Sequence, residues 1–280
     1  MWALILPSFV AGSLAGLSGG LLGVAALRLR LSALGYAMAH AAFAGAALGL
    51  WLGLPPLLTA FLFASALAAL LGPISEKTGL PVDSILAILF PLTMALGFLF
   101  ITLTPGLPLT SPALTLFWGS LLGVGWTDVF VLAGITLVAL GFVAFFRREV
   151  WASLVERRLA EEAGIPARWI LWALYFLLGA GVAGSMRLVG GLLVYVMLFL
   201  PASSAAQLVL DLRRQFLLAP IFGVVSTLGG VGLSFWADLP VGTAVALASC
   251  GVFLFCWALS PRRRIPNLAE QFPGPAKGPN

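Results

Sequence analysis

The stretch LGYAMAHAAFAGAALGLWLG, residues 34–53, runs for twenty residues with no aspartate, glutamate, lysine or arginine. About 20 apolar residues in helical conformation cross a hydrocarbon layer of about 30 Å. Length and composition therefore make this stretch a membrane-spanning helix. It also carries the only histidine of the chain, His40. A polar ring buried in lipid costs several kcal/mol unless a partner satisfies it. His40 must therefore face the interior of a helix bundle, either to serve the function or to hold helices together.

Similar runs recur on both sides of this stretch. The chain has 280 residues, of which 61% are hydrophobic and 9% charged, with a mean hydropathy of +1.09. Soluble domains carry roughly 25% charged residues, so water is not the main solvent of this protein. The pattern predicts an all-α integral membrane protein with spans at about 2–27, 33–53, 55–72, 84–103, 128–146, 169–186, 188–200, 216–236 and 240–259. That is a polytopic bundle of about nine spans, with eight to ten compatible with the pattern. The run PALTLFWGSLLGVG (112–125) is short and rich in small residues, and reads as a half-helix on one side. Residues 1–265 form the transmembrane unit, and the Pro/Gly-rich segment 266–280 reads as a disordered cytoplasmic tail.

The basic residues orient this bundle. Alternating the spans puts 14 of the 15 lysines and arginines on one side, leaving only Arg187 opposite. Positive charge marks the cytoplasmic side, so the chain belongs in the cytoplasmic membrane with these loops inside. The net charge of +5 is then a topology signal and not a footprint for nucleic acid. RREVWASLVERRLAEEAGIP (147–166) reads as a charged surface helix closed by a Gly/Pro stop. PASSAAQLVLDLRRQ (201–215) opens with proline at a helix start.

Small residues recur at four-residue spacing: Gly12, Gly16 and Gly20 in one stripe, Ala33, Ala37, Ala41, Gly45, Gly49 and Gly53 in another. Helices in lipid associate by close backbone approach along such stripes. Cys250 and Cys256 lie six residues apart, on different faces of one helix, and read as packing residues. Asp83, Asp128 and Asp238 fall at span ends, and the other seven carboxylates fall in cytoplasmic segments. No carboxylate sits at mid-membrane, where ion-coupled transporters keep one. That points to an energy source outside the bundle. The chain has no phosphate-cradling Gly-Lys loop of its own. It also lacks the acid, base and nucleophile spacing of an intramembrane enzyme.

Five motifs in order, RLRLSALGYAMAHAAFAG, LPVDSILAILFPLTMALG, LTLFWGSLLGVGWTDV, RLVGGLLVYVMLFLPASSAA and ADLPVGTAVAL, resemble the permease subunits of zinc/manganese/iron ABC importers. The resemblance covers about residues 5–258. It implies a permease-like helical bundle, without catalytic residues, that moves a divalent metal cation or metal complex by alternating access. It also implies a homodimer in membrane lipid, two ATP-binding subunits that hold ATP and magnesium, and an extracytoplasmic solute-binding protein. Carried over by residue, Pro201, Ala202, Ser203, Ser204 and Ala205 would form the segment that couples to the ATPase, with 147–166 as a second contact. Family members commonly read Gly-Asp-x-x-x-His at the start of the second span, placing a carboxylate and an imidazole on one helical face as cation ligands. Here the stretch runs from Gly35 to His40, and the carboxylate position holds Tyr36. The position of a further histidine in zinc-type members holds Pro91. His40 is thus the candidate metal ligand and, with Tyr36, the candidate lining of the substrate path. A neutral phenol, with a pKa near ~10, is a poor dication ligand. A non-metal solute therefore stays open as cargo, as does a channel or scaffold protein without an ATPase.

Overall fold

Each helix ends where the sequence supplies a stop or a new start. In a computed structural model, which describes residues 2–31, 33–104, 124–190 and 194–261, the chain forms a helical bundle. Its helices are α1 (Trp2–Arg28), α2 (Leu34–Leu52), α3 (Pro56–Thr78), α4 (Val82–Leu103), α5 (Trp126–Phe145), α6 (Arg147–Val155), α7 (Arg157–Glu162), α8 (Ala167–Val189), α9 (Val194–Leu208), α10 (Leu212–Ala237) and α11 (Val241–Ala258). Gly53 closes α2 at φ +69°, its N–H donating to the carbonyls of Gly49 and Leu50. That left-handed turn is one a Cβ would strain. Pro56 sits in the first turn of α3, while Pro81 and Pro240 stand just before α4 and α11, where the missing N–H costs nothing.

Eight of these helices are long and apolar enough to cross a membrane. The expected span 188–200 is corrected at its C-terminal end: α9, described over Val194–Leu208, continues through Pro201. The proline sits inside the helix and does not open a new one. The 15 described residues of α9 extend about 22 Å. The expected helix over 147–166 is also corrected. It breaks at Glu156, which is extended (φ −154°, ψ 108°) and whose carboxylate accepts the Arg158 N–H to start α7. A side chain that competes for backbone N–H groups ends one helix and caps the next. Its Gly/Pro stop does hold, with Gly164 at φ +79° before Pro166. The half-helix expected at 112–125 lies outside the described residues except for Val124 and Gly125, as does the tail 266–280.

The two small-residue stripes pack as close backbone contacts. Gly16 and Gly223 bring α1 against α10, with Gly20 against Ala219 one turn further on. Gly45 and Gly49 bring α2 against Thr59 and Ala60 of α3. Gly53 departs from its stripe, serving as a cap with open space around it.

One end of the bundle gathers the basic segments. Arg28 donates to Gln215 Oε1 at 3.0 Å, and Arg157 and Arg168 pair with Glu76 at 3.3 and 2.7 Å. Arg213 lies over the Trp151 ring at 4.7 Å, and Ser260 Oγ donates to the Gln207 carbonyl at 2.8 Å. These contacts join α1 and α6 to α10, join α7 and α8 to α3, and hold the residue just after α11 to α9, all at the end that the charge pattern assigns to the cytoplasm. The carboxylates hold to the ends as well. Asp83 accepts the Ala33 N–H at 3.1 Å from across the α2–α4 boundary, Asp128 accepts the Gly125 N–H at 2.8 Å, and Asp238 caps α10.

Candidate functional site

The helix α9 divides into two faces. Val194, Met197, Leu198, Pro201, Ala202, Ser204 and Ala205 are buried. Tyr195, Val196, Phe199, Leu200, Ser203, Ala206 and Gln207 are only half-buried. Glycines on α1, Gly19 and Gly23, let that helix press against the inward face. A Cβ on Gly23 would meet the Leu198 carbonyl and, at 3.3 Å, the Ala202 methyl.

The half-buried face lines a groove. Its upper part, about 710 Å³, is bounded by Tyr195, Phe199 and Ser203 of α9 with Leu27, Arg30 and Asp83. Its lower part, about 420 Å³, lies between Ser203, Ala206 and Gln207 and the residues Arg28, Arg30 and Gln215. The two parts share Leu27, Arg30 and Ser203. Thirteen residues of helix, from Tyr195 to Gln207, make the groove about 18 Å long, twelve rises of 1.5 Å. Volumes of this size suit a small ligand, and the groove opens at the basic end. Its floor is braced: buried Gln215 donates to the Val209 carbonyl at 2.9 Å and accepts from Arg28. The turn after α9 is thereby pinned to α1 and α10.

Above the groove stands the predicted pair Tyr36 and His40. From Leu34 to Ala47 every residue of α2 is buried except Tyr36, which is 40% exposed. Its ring stacks on Tyr195 at 4.7 Å and 23°, and Tyr195 stacks on Phe199 at 4.6 Å and 29°. Gly35 allows this approach, since a Cβ there would lie 3.0 Å from the Tyr195 Cβ. His40 is 4% exposed, and its ring packs against Phe90 of α4 at 4.6 Å. The residue after Phe90 is Pro91, within α4. Although one turn apart, Tyr36 thus looks to α9 and His40 to α4. Among the described residues no three histidine, cysteine, aspartate or glutamate side chains converge as a metal site.

Of the five residues expected to meet an ATPase, Pro201, Ala202, Ser204 and Ala205 face the chain's own core; only Ser203 reaches the groove. Sequence reading passed over Tyr195, Phe199, Arg30 and Gln215. The signal for the first two was the i, i+4, i+8 spacing of Tyr195, Phe199 and Ser203, which puts them on one helical face.

Comparison with known proteins agrees with this architecture. The ABC 3 transport family matches residues 1–260. The manganese transport system membrane protein MntC of Halalkalibacterium halodurans is 28% identical over 259 residues, covering 92% of this chain and 88% of the relative. The high-affinity zinc uptake system membrane protein ZnuB of Haemophilus influenzae is 25% identical over 265 residues, covering 95% of this chain and all of the relative. The solved structure of PsaBC from Streptococcus pneumoniae in complex with Fab superposes with a TM-score of 0.81 at 23% identity, over 96% of this chain and 95% of that one.

Proposed function

The chain belongs to the ABC 3 transport family, and from that premise we propose that it is the permease subunit of an importer that moves a divalent metal cation, or a complex of one, across the cytoplasmic membrane. The observation that carries this reading is the family match along residues 1–260, among relatives that transport manganese and take up zinc. The chain supplies the path and not the energy. Two copies surround the cargo, a partner ATPase holds ATP and magnesium, and an external binding protein delivers cargo to the outer mouth.

The groove on α9 serves as the inner half of that path in this reading. Cargo released past Tyr36 descends along Tyr195, Phe199 and Ser203 toward Gln207 and leaves at the basic end. The turn 209–211, braced through Gln215 and Arg28, transmits ATPase movement to α9. His40 supplies the imidazole that the cargo meets at the level of α4. Tyr36, standing where the family has a carboxylate, favours a cargo of lower charge density than a bare dication, and so favours the metal complex as a second form of cargo. Purification in mild detergent after co-expression with a candidate ATP-binding subunit from the same genome tests the assembly. Two copies of each subunit should elute together, and a permease that never retains an ATPase would leave the channel or scaffold reading in its place.

A further inference from the structure

We propose that Tyr36, Tyr195 and Phe199 form a stacked aromatic seal at the head of the cytoplasmic groove, with Tyr195 the gating and specificity-determining side chain. The proposal rests on the reading of the chain as an import permease.

Three observations carry it. First, α2 is packed on nearly every side, and the one position it leaves open between Leu34 and Ala47 holds an aromatic ring. Second, that ring belongs to a continuous column, Tyr36 on Tyr195 on Phe199, with centroid spacings of 4.7 and 4.6 Å. Third, the column ends on the wall of the 710 Å³ space that Arg30 and Asp83 also line. An aromatic residue near a helix end often anchors in the lipid interface. Tyr36 differs, because its ring lies against a neighbour that borders a cavity with charged walls.

Two of the three rings sit on one helix, at i and i+4 of α9, so they move together when α9 moves. The third sits on α2. A shift of α9 relative to α2 therefore unstacks Tyr36 from Tyr195 without breaking the Tyr195–Phe199 contact. Gly35, having no side chain, puts no Cβ against Tyr195 where that sliding takes place. Closed, the column puts apolar ring faces across the path of a hydrated ion. Open, it exposes phenol oxygens and π-faces, which attract a cation weakly and release it readily.

The test uses the permease and its ATPase reconstituted together in proteoliposomes without ATP, with Mn²⁺ as probe and a trapped metal-quenched dye as readout. The seal predicts that Tyr195→Ala raises passive Mn²⁺ entry about tenfold, the scale set by losing an aromatic pair. Tyr195→Phe, which keeps the ring, should bring entry back toward the wild-type rate. Tyr36→Leu breaks the same stack from the exposed side, where truncation disturbs little packing, and should leak as Tyr195→Ala does. It decides the matter if Tyr195→Ala does not fold. Passive entry at the wild-type rate in a folded Tyr195→Ala or Tyr36→Leu overturns the seal. If the wild-type complex with ATP and loaded binding protein carries neither Mn²⁺ nor Zn²⁺, free or complexed, the import reading fails separately, while the passive comparison still decides the seal.

Discussion

Replacing Gly223 by alanine probes the contact on which the bundle most depends. A Cβ at Gly223 would collide with the carbonyl of Gly16, and it would lie 3.3 Å from the Gly16 Cα. The three nearest atoms it meets are all main chain of Gly16, so no side chain can rotate out of their way. The helices α1 and α10 must separate, by about 1.5 Å, to restore ordinary van der Waals distance. A gap of 0.5–1 Å already forfeits about a quarter to a half of each atom pair's attraction, about 0.1–0.2 kcal/mol at best. Over about thirty pairs along the Gly16–Gly20 contact the loss comes to about 2 kcal/mol, within the range for overpacked cores. The folded-to-unfolded ratio should fall about 30-fold. Gly141→Ala is the control, because a Cβ at Gly141 meets nothing within 4 Å. It should be neutral or stabilising by up to about 1 kcal/mol, the helix preference for alanine. The nine tryptophans give a fluorescence signal for unfolding in mixed detergent micelles. A Gly223→Ala variant as stable as Gly141→Ala would refute the close-packing argument.

Further outcomes follow from the path and the topology. His40→Phe should fold as wild type, since one ring replaces another beside Phe90, and should lower metal uptake by about tenfold or more; lost thermal stability with uptake retained would make His40 structural. Tyr36→Asp places a carboxylate one turn from His40 and should tighten Mn²⁺ binding by the purified permease, and unchanged binding in a folded variant would speak for a complexed cargo. Ala205→Glu should fail to fold instead of merely uncoupling transport, because Ala205 is wholly enclosed by the chain and a buried unpaired charge costs several kcal/mol. A folded Ala205→Glu variant with normal stability would contradict the inward placement of that face. In a background lacking Cys250 and Cys256, a cysteine at Leu54 should react with an impermeant thiol reagent in intact cells and one at Glu162 only after permeabilisation; the reverse pattern would invert the topology.

Much of this was legible in the residues. Lipid as solvent leaves helices as the one simple solution, so apolar length located α2, α4, α10 and α11 to within a few residues, while α3 runs six residues past its expected end to Thr78. The charge asymmetry placed Arg28, Lys77, Arg157 and Arg168 at a common end, and the pairing of Arg157 and Arg168 with Glu76 agrees with that. The path was harder to read. Proline suggested a boundary at Pro201, yet α9 runs through it, because a proline deforms a helix only locally when neighbours hold the segment. Small residues from Pro201 to Ala205 read as a docking surface, and within the chain four of the five face the core, Ala202 of them close to Gly23 of α1, while Ser203 faces the groove. Small size signals close approach without saying to what. Glu156 broke a helix that charge pattern alone made continuous. The Tyr36–Tyr195 stack joins residues far apart in sequence, and neither local pattern contained it.

ATP-driven uptake by the reconstituted complex tests the central claim most directly. Proteoliposomes holding this chain, its ATPase and metal-loaded binding protein should accumulate ⁵⁴Mn²⁺ or ⁶⁵Zn²⁺, free or complexed, against a gradient. Accumulation should require ATP on the side where Arg28, Arg157 and Gln207 lie, and it should vanish when the ATPase is omitted. Downhill flux that is indifferent to ATP, or ATP-driven uptake of an unrelated solute with no metal carried, would contradict it.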